Sequence, residues 1–472
     1  MKIVVVGGGP GGYVAAIKAS MLGADVTVVE KRRVGGTCLN AGCIPTKALL
    51  ASSGVLNTVK EAKDFGIEID GTVKPNFTAI MERKNKVVNQ LISGIEFLFE
   101  KRGVNLVNGF GKLIDKNTIE VTKDDGTVET IKADKIILAN GSVPVVPRMF
   151  PYDGKVVITS DEVLGLEEIP ESMLIVGGGV IGCEIGQFFR ALGTEVTIVE
   201  MVDQILLNED KDVAKQLLRQ FKKDKIKVIT GIGVQTCEVV DGKAVATLSN
   251  GKVIEAQYAL VCVGRRPNLD NSGVEDIGIE MERGKVVVNE HLETNVEGIY
   301  AIGDIIDTPF LAHVASKEGI VAVENALGKT KVVDYRAIPR CVYTEPEVAG
   351  VGKTEKQLEA EGVEYNVGQF DFRGLGKAQA IGHFQGFVKV IADKETDKII
   401  GAAVVGPHAT DLLTELSLAV HLGLTVEQVG DAIHPHPSLS EGLMEALMMY
   451  MENVFILYLN YNRQTEYIRL CG

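Results

Sequence analysis

"KIVVVGGGPGGYVAAIKASMLGADVTVVE" occupies residues 2–30 and reads as strand, glycine turn, helix and second strand. An apolar run ends at Gly7, and Gly7, Gly9 and Gly12 have the G-x-G-x-x-G spacing. In that pattern the first glycine permits the turn and the second lets backbone approach a pyrophosphate. The third lets the helix pack close to the strand. N–H groups at the helix start can then receive phosphates. Glu30 closes the second strand, placed to accept hydrogen bonds from a ribose.

The arrangement recurs at 172–200, "SMLIVGGGVIGCEIGQFFRALGTEVTIVE", with Gly177, Gly179, Gly182 and the closing acid Glu200. One such motif is weak, but two in the same strand–turn–helix–strand context imply two dinucleotides. At the second, Glu200 favours NAD, because a carboxylate repels the extra ribose phosphate of NADP. A third candidate is "GIYAIGDI", residues 298–305, where an apolar strand ends at Gly303 and Asp304. Asp304 is placed there to bind a cofactor hydroxyl, and a helix is expected to begin near "PFLAHVASKEGIVAVENAL".

The rest of the chain sets bounds on this reading. Its 472 residues are too many for one core. An apolar fraction of 46% and 52 glycines suit a packed globular enzyme with many tight turns. The net charge of −14 argues against nucleic-acid or anionic-membrane binding and leaves room for a basic protein partner. No apolar run reaches membrane-spanning length, and the opening residues lack the pattern of a signal peptide. Seven mostly scattered cysteines do not form a disulfide framework. The expectation is a cytoplasmic protein that binds neither nucleic acid nor membrane, with no metal.

Two of those cysteines lie close together in "GGTCLNAGCIPTKALL", residues 35–50. Zinc would need further ligands, and no nearby histidine or second pair supplies them. A redox couple, a structural bridge and two independent buried thiols remain. Five residues of regular helix advance about 7.5 Å, beyond the roughly 4.4–6.8 Å Cα separation of a disulfide. A Cys38–Cys43 bridge therefore needs a non-helical or distorted first half, which the glycines and Asn40 can supply. Pro45 suits the first turn of a helix continuing through Leu50, and a thiolate at its start is favoured by the helix's positive end. Lys47 lies on the same helical face as Cys43 and brings a positive charge near the sulfur. Glu184, just inside the second nucleotide helix, is its candidate partner.

Near the C-terminus, "DAIHPHPSLSEGLMEAL" holds His434 and His436 before a helix, with no convincing third metal ligand. Glu441 fits an acid–imidazole pair, fixing one ring nitrogen while the other exchanges protons. Ser438 and Ser440 are candidate helix caps. Thiol–disulfide exchange needs a base, and His436 is the choice for it, with His434 structural. No G-x-S-x-G elbow supports a hydrolase.

With these motifs together, the chain resembles the dihydrolipoamide dehydrogenases, of the class I flavin-dependent pyridine nucleotide–disulfide oxidoreductase family. The resemblance runs from the first nucleotide motif through "HPHPSLSE" and weakens over the last thirty residues. It implies that Cys38 and Cys43 form a redox disulfide, with Cys43 facing the flavin and Cys38 exchanging with substrate. It puts FAD on Gly7, Gly9, Gly12, Glu30 and Asp304, with Lys47 beside it, and NAD on Gly177, Gly179, Gly182 and Glu200. Gly141, Ala312, His313 and Gly264 complete the cofactor-binding positions it implies. Glu184 matches the partner of Lys47. His436 and Glu441 match the pair that, in this family, reaches the redox site of the opposite subunit, so a homodimer is implied.

The implied reaction is oxidation of protein-bound dihydrolipoamide with reduction of NAD to NADH. The partner is then a lipoylated protein of a 2-oxoacid dehydrogenase, acetoin dehydrogenase or glycine cleavage system. Alternatives are an NAD(P)H-dependent reductase of another disulfide and a low-turnover flavoprotein serving as a lipoyl-domain binding subunit. Glutathione and large thioredoxin reductases usually carry two lysines after the redox-site proline and use NADP, unlike "IPTKALL" with Glu200. Mercuric reductases have a vicinal C-terminal cysteine pair and lack the histidine motif, whereas this chain has one terminal cysteine, Cys471, and keeps His436. Its closing residues, 451–472, depart from the family's ordinary ending, which leaves an auxiliary role for Cys471 open. At "LANGS", 138–142, Asn140 stands where many relatives carry threonine, and flavin binding is expected to tolerate it.

The fold expected is α/β: two Rossmann-like dinucleotide-binding domains plus a C-terminal α+β dimerisation domain. The segments are 1–147 for FAD and the redox pair, 148–272 for NAD, 273–340 returning to the FAD site, and 341–472 for the interface. Residues 77–103 have helical periodicity with a core-facing apolar side. "FVKVIADKETDKIIGAAVVG" reads as a hairpin and "TDLLTELSLAVHLGLT" as an amphipathic helix. Cys183, Cys237, Cys262 and Cys341 read as buried small side chains.

Overall fold

The computed structural model describes residues 1–451; Cys471 lies outside them. The chain divides into two compact units. One comprises Met1–Ile205 with Asp224–Asp334, and the other Leu206–Lys223 with the chain from Tyr335 onward.

The first unit contains two parallel five-stranded sheets. In the first sheet, β1 (Lys2–Val6) is central, with β2 (Asp25–Glu30) and Asn105–Asn108 on one side and Lys135–Leu138 and Ile299–Ala301 on the other. All its pairings are parallel. Ile3, Val4 and Val5 are fully buried, as a continuous apolar run must be when helices cover both faces. Helix α1 (Pro10–Met21) links β1 to β2. Its close approach requires glycine at position 12, where a Cβ would lie 1.8 Å from the Gly7 carbonyl oxygen. Because chain order reverses between β1 and Lys135–Leu138, the carboxyl ends of these strands form the switch point where open α/β sheets receive ligands.

The second sheet repeats the pattern in the order Lys227–Ile229, Glu195–Val199, Ser172–Val176, Tyr258–Val261, Val157–Ile158. Each sheet carries a three-stranded antiparallel meander, Phe110–Lys132 between the third and fourth strands in chain order of the first and Val234–Ala256 between the fourth and fifth of the second. The strand Ile299–Ala301 completes the first sheet after the chain has built the second.

Helix Phe77–Arg102 starts where the Asn76 side chain accepts from the Ala79 amide and ends at Gly103 in the left-handed conformation. Its buried face carries Phe77, Val88, Ile92, Ile95 and Phe99. Lys84 is buried there too, and its ammonium donates to the Leu164 carbonyl.

The second unit is built on an antiparallel sheet in the order Arg340–Val342, Glu347–Gly352, Ile399–Gly406, Phe387–Asp393, Tyr365–Asp371. Phe387–Asp393 and Ile399–Gly406 form the expected hairpin. Helices Ala409–Leu422 and Glu441–Tyr450 supply Leu413, Leu416, Leu443 and Leu447 to its core. Helix Lys211–Lys223 belongs to this unit, although the sequence reading placed it within 148–272. The reason is electrostatic. The wholly buried Lys389 ammonium lies 2.7 Å from Asp210 and 2.8 Å from both Asp212 and Glu355. Arg340 makes a further pair with the buried Glu209 at 2.8 Å.

Cys183 and Cys237 are buried, but Cys262 and Cys341 are half-exposed, which corrects the expectation for these two.

Candidate active site

Cys38 lies on the short helix α2 (Gly36–Ala41), and Cys43 is the first residue of α3 (Cys43–Glu61). The distortion expected in the first half falls at its last glycine, Gly42, with φ −155° and ψ −117°. Asn40 keeps the first half helical, because its Nδ2 donates to the Gly36 carbonyl at 2.9 Å. Gly42 then permits a close return of the chain: a Cβ there would lie 2.9 Å from the Thr37 carbonyl oxygen. Pro45 falls in the first turn of α3, where its missing N–H has no helical partner to lose.

The two thiols are unbridged and hydrogen-bonded to each other. The bond from Cys38 lowers the Cys43 thiol to about 7, against the opposing effect of burial and with help from the Lys47 charge. Cys38 is pushed far up by the same hydrogen bond and by burial. The reduced pair therefore carries its negative charge on Cys43, at the positive end of α3. Tyr13, on α1, is raised by burial and then by the charges of both cysteines.

Lys47 Nζ lies 2.7 Å from Glu184 Oε2. Glu184 is buried on helix Val180–Leu192, so the second nucleotide helix supplies the counter-charge for the lysine that lies over Cys43.

The two glycine turns have the same local chemistry. Glu30 accepts from the Gly8 amide at 2.6 Å and from the Arg32 amide at 2.8 Å. Glu200 accepts from Gly178 at 2.7 Å and from Val202 at 3.0 Å. Helices α1 and Val180–Leu192 both begin without a side-chain cap and without an acid in the first turn. Asp304, half-buried beyond the end of Ile299–Ala301, accepts from Ser142 Oγ at 2.5 Å and is pushed up by desolvation. Gly141 has φ +69° and Gly264 φ +140°, and both flank the antiparallel ladder joining Ser142–Pro144 to Arg265–Pro267. Ala312 and His313 open the helix Ala312–Ala326.

Sequence reasoning missed Arg265. Its guanidinium donates to Ser142 Oγ and to the Ser142 carbonyl, both at 2.8 Å, and to Thr37 Oγ1 at 3.4 Å. It thus links the residue before Cys38 to the Ser142–Asp304 pair. The signal was present in "GRRPN", from which only Gly264 was drawn.

In the second unit, His436 Nδ1 lies 2.7 Å from Glu441 Oε1. Glu441 also accepts from the Ser438 amide at 2.8 Å. Burial pushes this carboxyl up, but the Ser438 amide and His436 prevail and hold it below the usual range. The histidine side chain is 78% exposed, so its remaining nitrogen faces outward. His434 is different: its buried ring bridges Glu415, at 2.9 Å, and the Ala432 carbonyl, at 2.7 Å. Ser438 Oγ accepts from the Glu441 amide at 3.3 Å, whereas Ser440 makes no side-chain cap.

Comparison with known proteins agrees over both units. The family described as pyridine nucleotide-disulphide oxidoreductase matches residues 1–319, and its dimerisation domain matches residues 338–447. The chain belongs to this family, among the dihydrolipoamide dehydrogenases. It is 42% identical to a dihydrolipoyl dehydrogenase of Bacillus subtilis, over 94% of this chain and 97% of that protein. Identity is 43% to a mitochondrial dihydrolipoyl dehydrogenase of Dictyostelium discoideum, covering 94% of this chain and 93% of the relative. A leghemoglobin reductase of Glycine max is 42% identical over 94% of this chain and 87% of its own length. Among solved structures, LpdA of Mycobacterium tuberculosis superposes with a TM-score of 0.89 at 29% identity, covering 95% of this chain and 99% of that one.

FAD and NAD binding is typical of this family. The residues present fit such groups. A Cβ on Gly179 would meet nothing within 4 Å, so the backbone at the start of helix Val180–Leu192 is openly accessible. Each glycine turn also holds its carboxylate against its own backbone, where a ribose can be received. Among the described residues, no helix is long and apolar enough to cross a membrane.

Proposed function

We propose that this chain oxidises protein-bound dihydrolipoamide to lipoamide and reduces NAD to NADH, with FAD on the first glycine turn and NAD on the second. The observation that carries the proposal is the Cys38–Cys43 pair, whose charge rests on Cys43 beside Lys47 and Glu184. Such an arrangement is built for reversible thiol–disulfide exchange, since it gives exchange with substrate and storage of charge to different sulfurs.

Starting from the disulfide, a substrate thiolate attacks Cys38 Sγ. The Cys38–Cys43 bond breaks, and Cys43 leaves as the thiolate that its surroundings favour. The second substrate thiol loses its proton and displaces Cys38 from the mixed disulfide, releasing lipoamide and leaving the protein reduced by two electrons. Bound FAD supplies a two-electron relay between the thiol pair and NAD. Gly7, Gly9, Gly12, Glu30 and Asp304 would hold it, with Gly141, Ala312 and His313 around it. Gly177, Gly179, Gly182, Gly264 and Glu200 would receive NAD.

His436 is the proposed base. An ionised Glu441 accepts from Nδ1–H, which leaves Nε2 as the proton acceptor. In the homodimer we propose, the substrate at Cys38 is served by His436 of the partner subunit. Homodimers and lipoyl-domain interaction are general features of the family. The proposed partner is a lipoylated protein, and the expected compartment is the cytoplasm.

The test is a rate comparison with dihydrolipoamide, reduced glutathione and thioredoxin, using NAD and NADP separately. NADH formation from dihydrolipoamide is expected to dominate. C38S is expected to lose disulfide turnover while keeping FAD. Full turnover by that variant, or a preference for another thiol with NADP, would overturn the proposal.

A further inference from the structure

We propose that Ile205 is a positioning residue for the second nucleotide: its side chain backs Gly178 and so holds the Glu200 carboxylate where a ribose hydroxyl meets it. The inference rests on the reading that NAD occupies the second glycine turn.

The two glycine turns agree in their hydrogen bonds but not in what lies against the middle glycine. A Cβ on Gly8 would have only Glu30 as its nearest neighbour, with Oε2 at 3.2 Å and Cβ and Cγ both at 3.4 Å. A Cβ on Gly178 would meet Ile205 Cγ2 at 2.8 Å, Glu200 Cβ at 3.2 Å and Ile205 Cβ at 3.3 Å. The space that Gly178 leaves is therefore shared by Ile205 and the stem of Glu200. Ile205 is fully buried, although it stands in the connecting segment between strand Glu195–Val199 and helix Lys211–Lys223. The next residue, Leu206, has φ +49°, a left-handed conformation that leucine rarely adopts. The chain thus accepts a strained backbone immediately after setting Ile205 against the turn.

Glu200 accepts from the Gly178 amide at 2.7 Å and from the Val202 amide at 3.0 Å. The first bond lasts only while the Gly178 peptide keeps its place, and glycine has no side chain of its own to keep it there. Ile205 supplies the missing contact. Its branch at Cβ is stiff, so Cγ2 stays against the glycine. The acid that closes such a turn must meet the adenosine ribose 2′-hydroxyl, and a carboxylate free to shift loses that bond. Being wholly buried, Ile205 acts through Gly178 and Glu200 and not on the nucleotide itself.

The experiment uses the full chain with FAD bound and compares I205L with I205V. I205L keeps the volume but moves the branch one carbon outward, which removes the methyl group facing Gly178. I205V is smaller and keeps that methyl group. I205L is expected to bind NAD about fivefold more weakly in titration, as loss of one hydrogen bond does, with the effect falling on KM rather than kcat. I205V is expected to restore most of the parental affinity. An NAD analogue lacking the adenosine 2′-hydroxyl separates positioning from packing, because the bond in question is then absent. I205L and the parent are expected to bind that analogue equally. A parental affinity for NAD in I205L, an equal loss with NAD and the analogue, or a larger loss in I205V than in I205L would overturn the proposal. A parent chain that takes NADP and not NAD would instead overturn the reading of the second turn.

Discussion

Lys47 Nζ and Glu184 Oε2 are 2.7 Å apart, joining the helix that begins with Cys43 to the helix that begins at the second glycine turn. One ion pair thus ties the cysteine pair to the helix of the second glycine turn. Glu184 is only 3% exposed, and the lysine supplies a cation beside its buried carboxylate. Removing that cation costs about 3 kcal/mol in comparable sites. K47M is therefore expected to lower the melting temperature. It should also raise the Cys43 thiol above its value of about 7, because the attractive charge is gone. In the reduced parent the thiolate is present above that pH and lost below it. Ultraviolet thiolate absorbance followed against pH reads the midpoint. An unchanged midpoint in K47M would show that Cys38 alone sets the charge on Cys43.

The glycines of the second turn separate folding from binding. A Cβ on Gly182 would lie 2.1 Å from the Gly177 carbonyl oxygen, whereas one on Gly179 meets nothing within 4 Å. G182A is therefore expected to destabilise the protein, because helix Val180–Leu192 must move off its strand. G179A is expected to fold with parental stability and to lose NAD affinity about tenfold, since the added methyl group stands in the path of the ligand. Melting curves beside NAD titrations distinguish the two. Parental NAD affinity in G179A would remove that backbone from the ligand's path.

Features repeated at short range were legible in the sequence. Both glycine turns, their closing acids, the hairpin 387–406 and the helix 77–102 follow from local periodicity and turn chemistry. The pairing of Lys47 with Glu184 spans 137 positions, and it was reached by placing Glu184 just inside the second nucleotide helix and by the family resemblance. Arg265 was missed because its partners Thr37 and Ser142 lie in distant segments of the chain. The break at Gly42 was expected from the glycines of that stretch, but nothing local reveals that Asn40 would brace the helix rather than end it. Helix Lys211–Lys223 was assigned by neighbourhood in the chain, whereas Asp212 in its first turn pairs with Lys389, a residue far away. Long-range charge pairing leaves no periodic trace.

His434 and His436 are expected to respond differently to pH. The hydrogen bond it donates to Glu415 raises the His434 imidazole above its ordinary value, against burial and with help from the Ala432 carbonyl. A raised value in the folded state stabilises the protein fully below the unfolded value and ceases to do so as pH rises through the folded value. H434Q should therefore melt below the parent by the largest margin under pH 6.5, and the gap should narrow at higher pH. H436Q should leave stability nearly unchanged, because that side chain is 78% exposed, and should instead lower turnover about a hundredfold or more. A pH-independent gap for H434Q would mean that packing, not charge, is what the residue supplies.

Lys389 is expected to act as an internal cation. Its ammonium is surrounded by Asp210, Asp212 and Glu355, whose ligand oxygens lie within 4.8 Å of one another. Burial opposes the charge, but the three carboxylates overcome it and push the lysine well up, so it stays charged at any ordinary pH. K389M leaves three acids facing one another in a half-buried space, and a loss of about 3–5 kcal/mol is expected. The same acids then form an oxygen cage of the kind a hard divalent cation accepts. Calcium should raise the melting temperature of K389M and leave the parent unmoved, since the ammonium already occupies that place. D212N added to K389M should remove part of both effects, one carboxylate being lost to the repulsion and to the cage. Equal stabilisation of parent and variant by calcium would place the ion elsewhere and leave the lysine an ordinary salt-bridge partner.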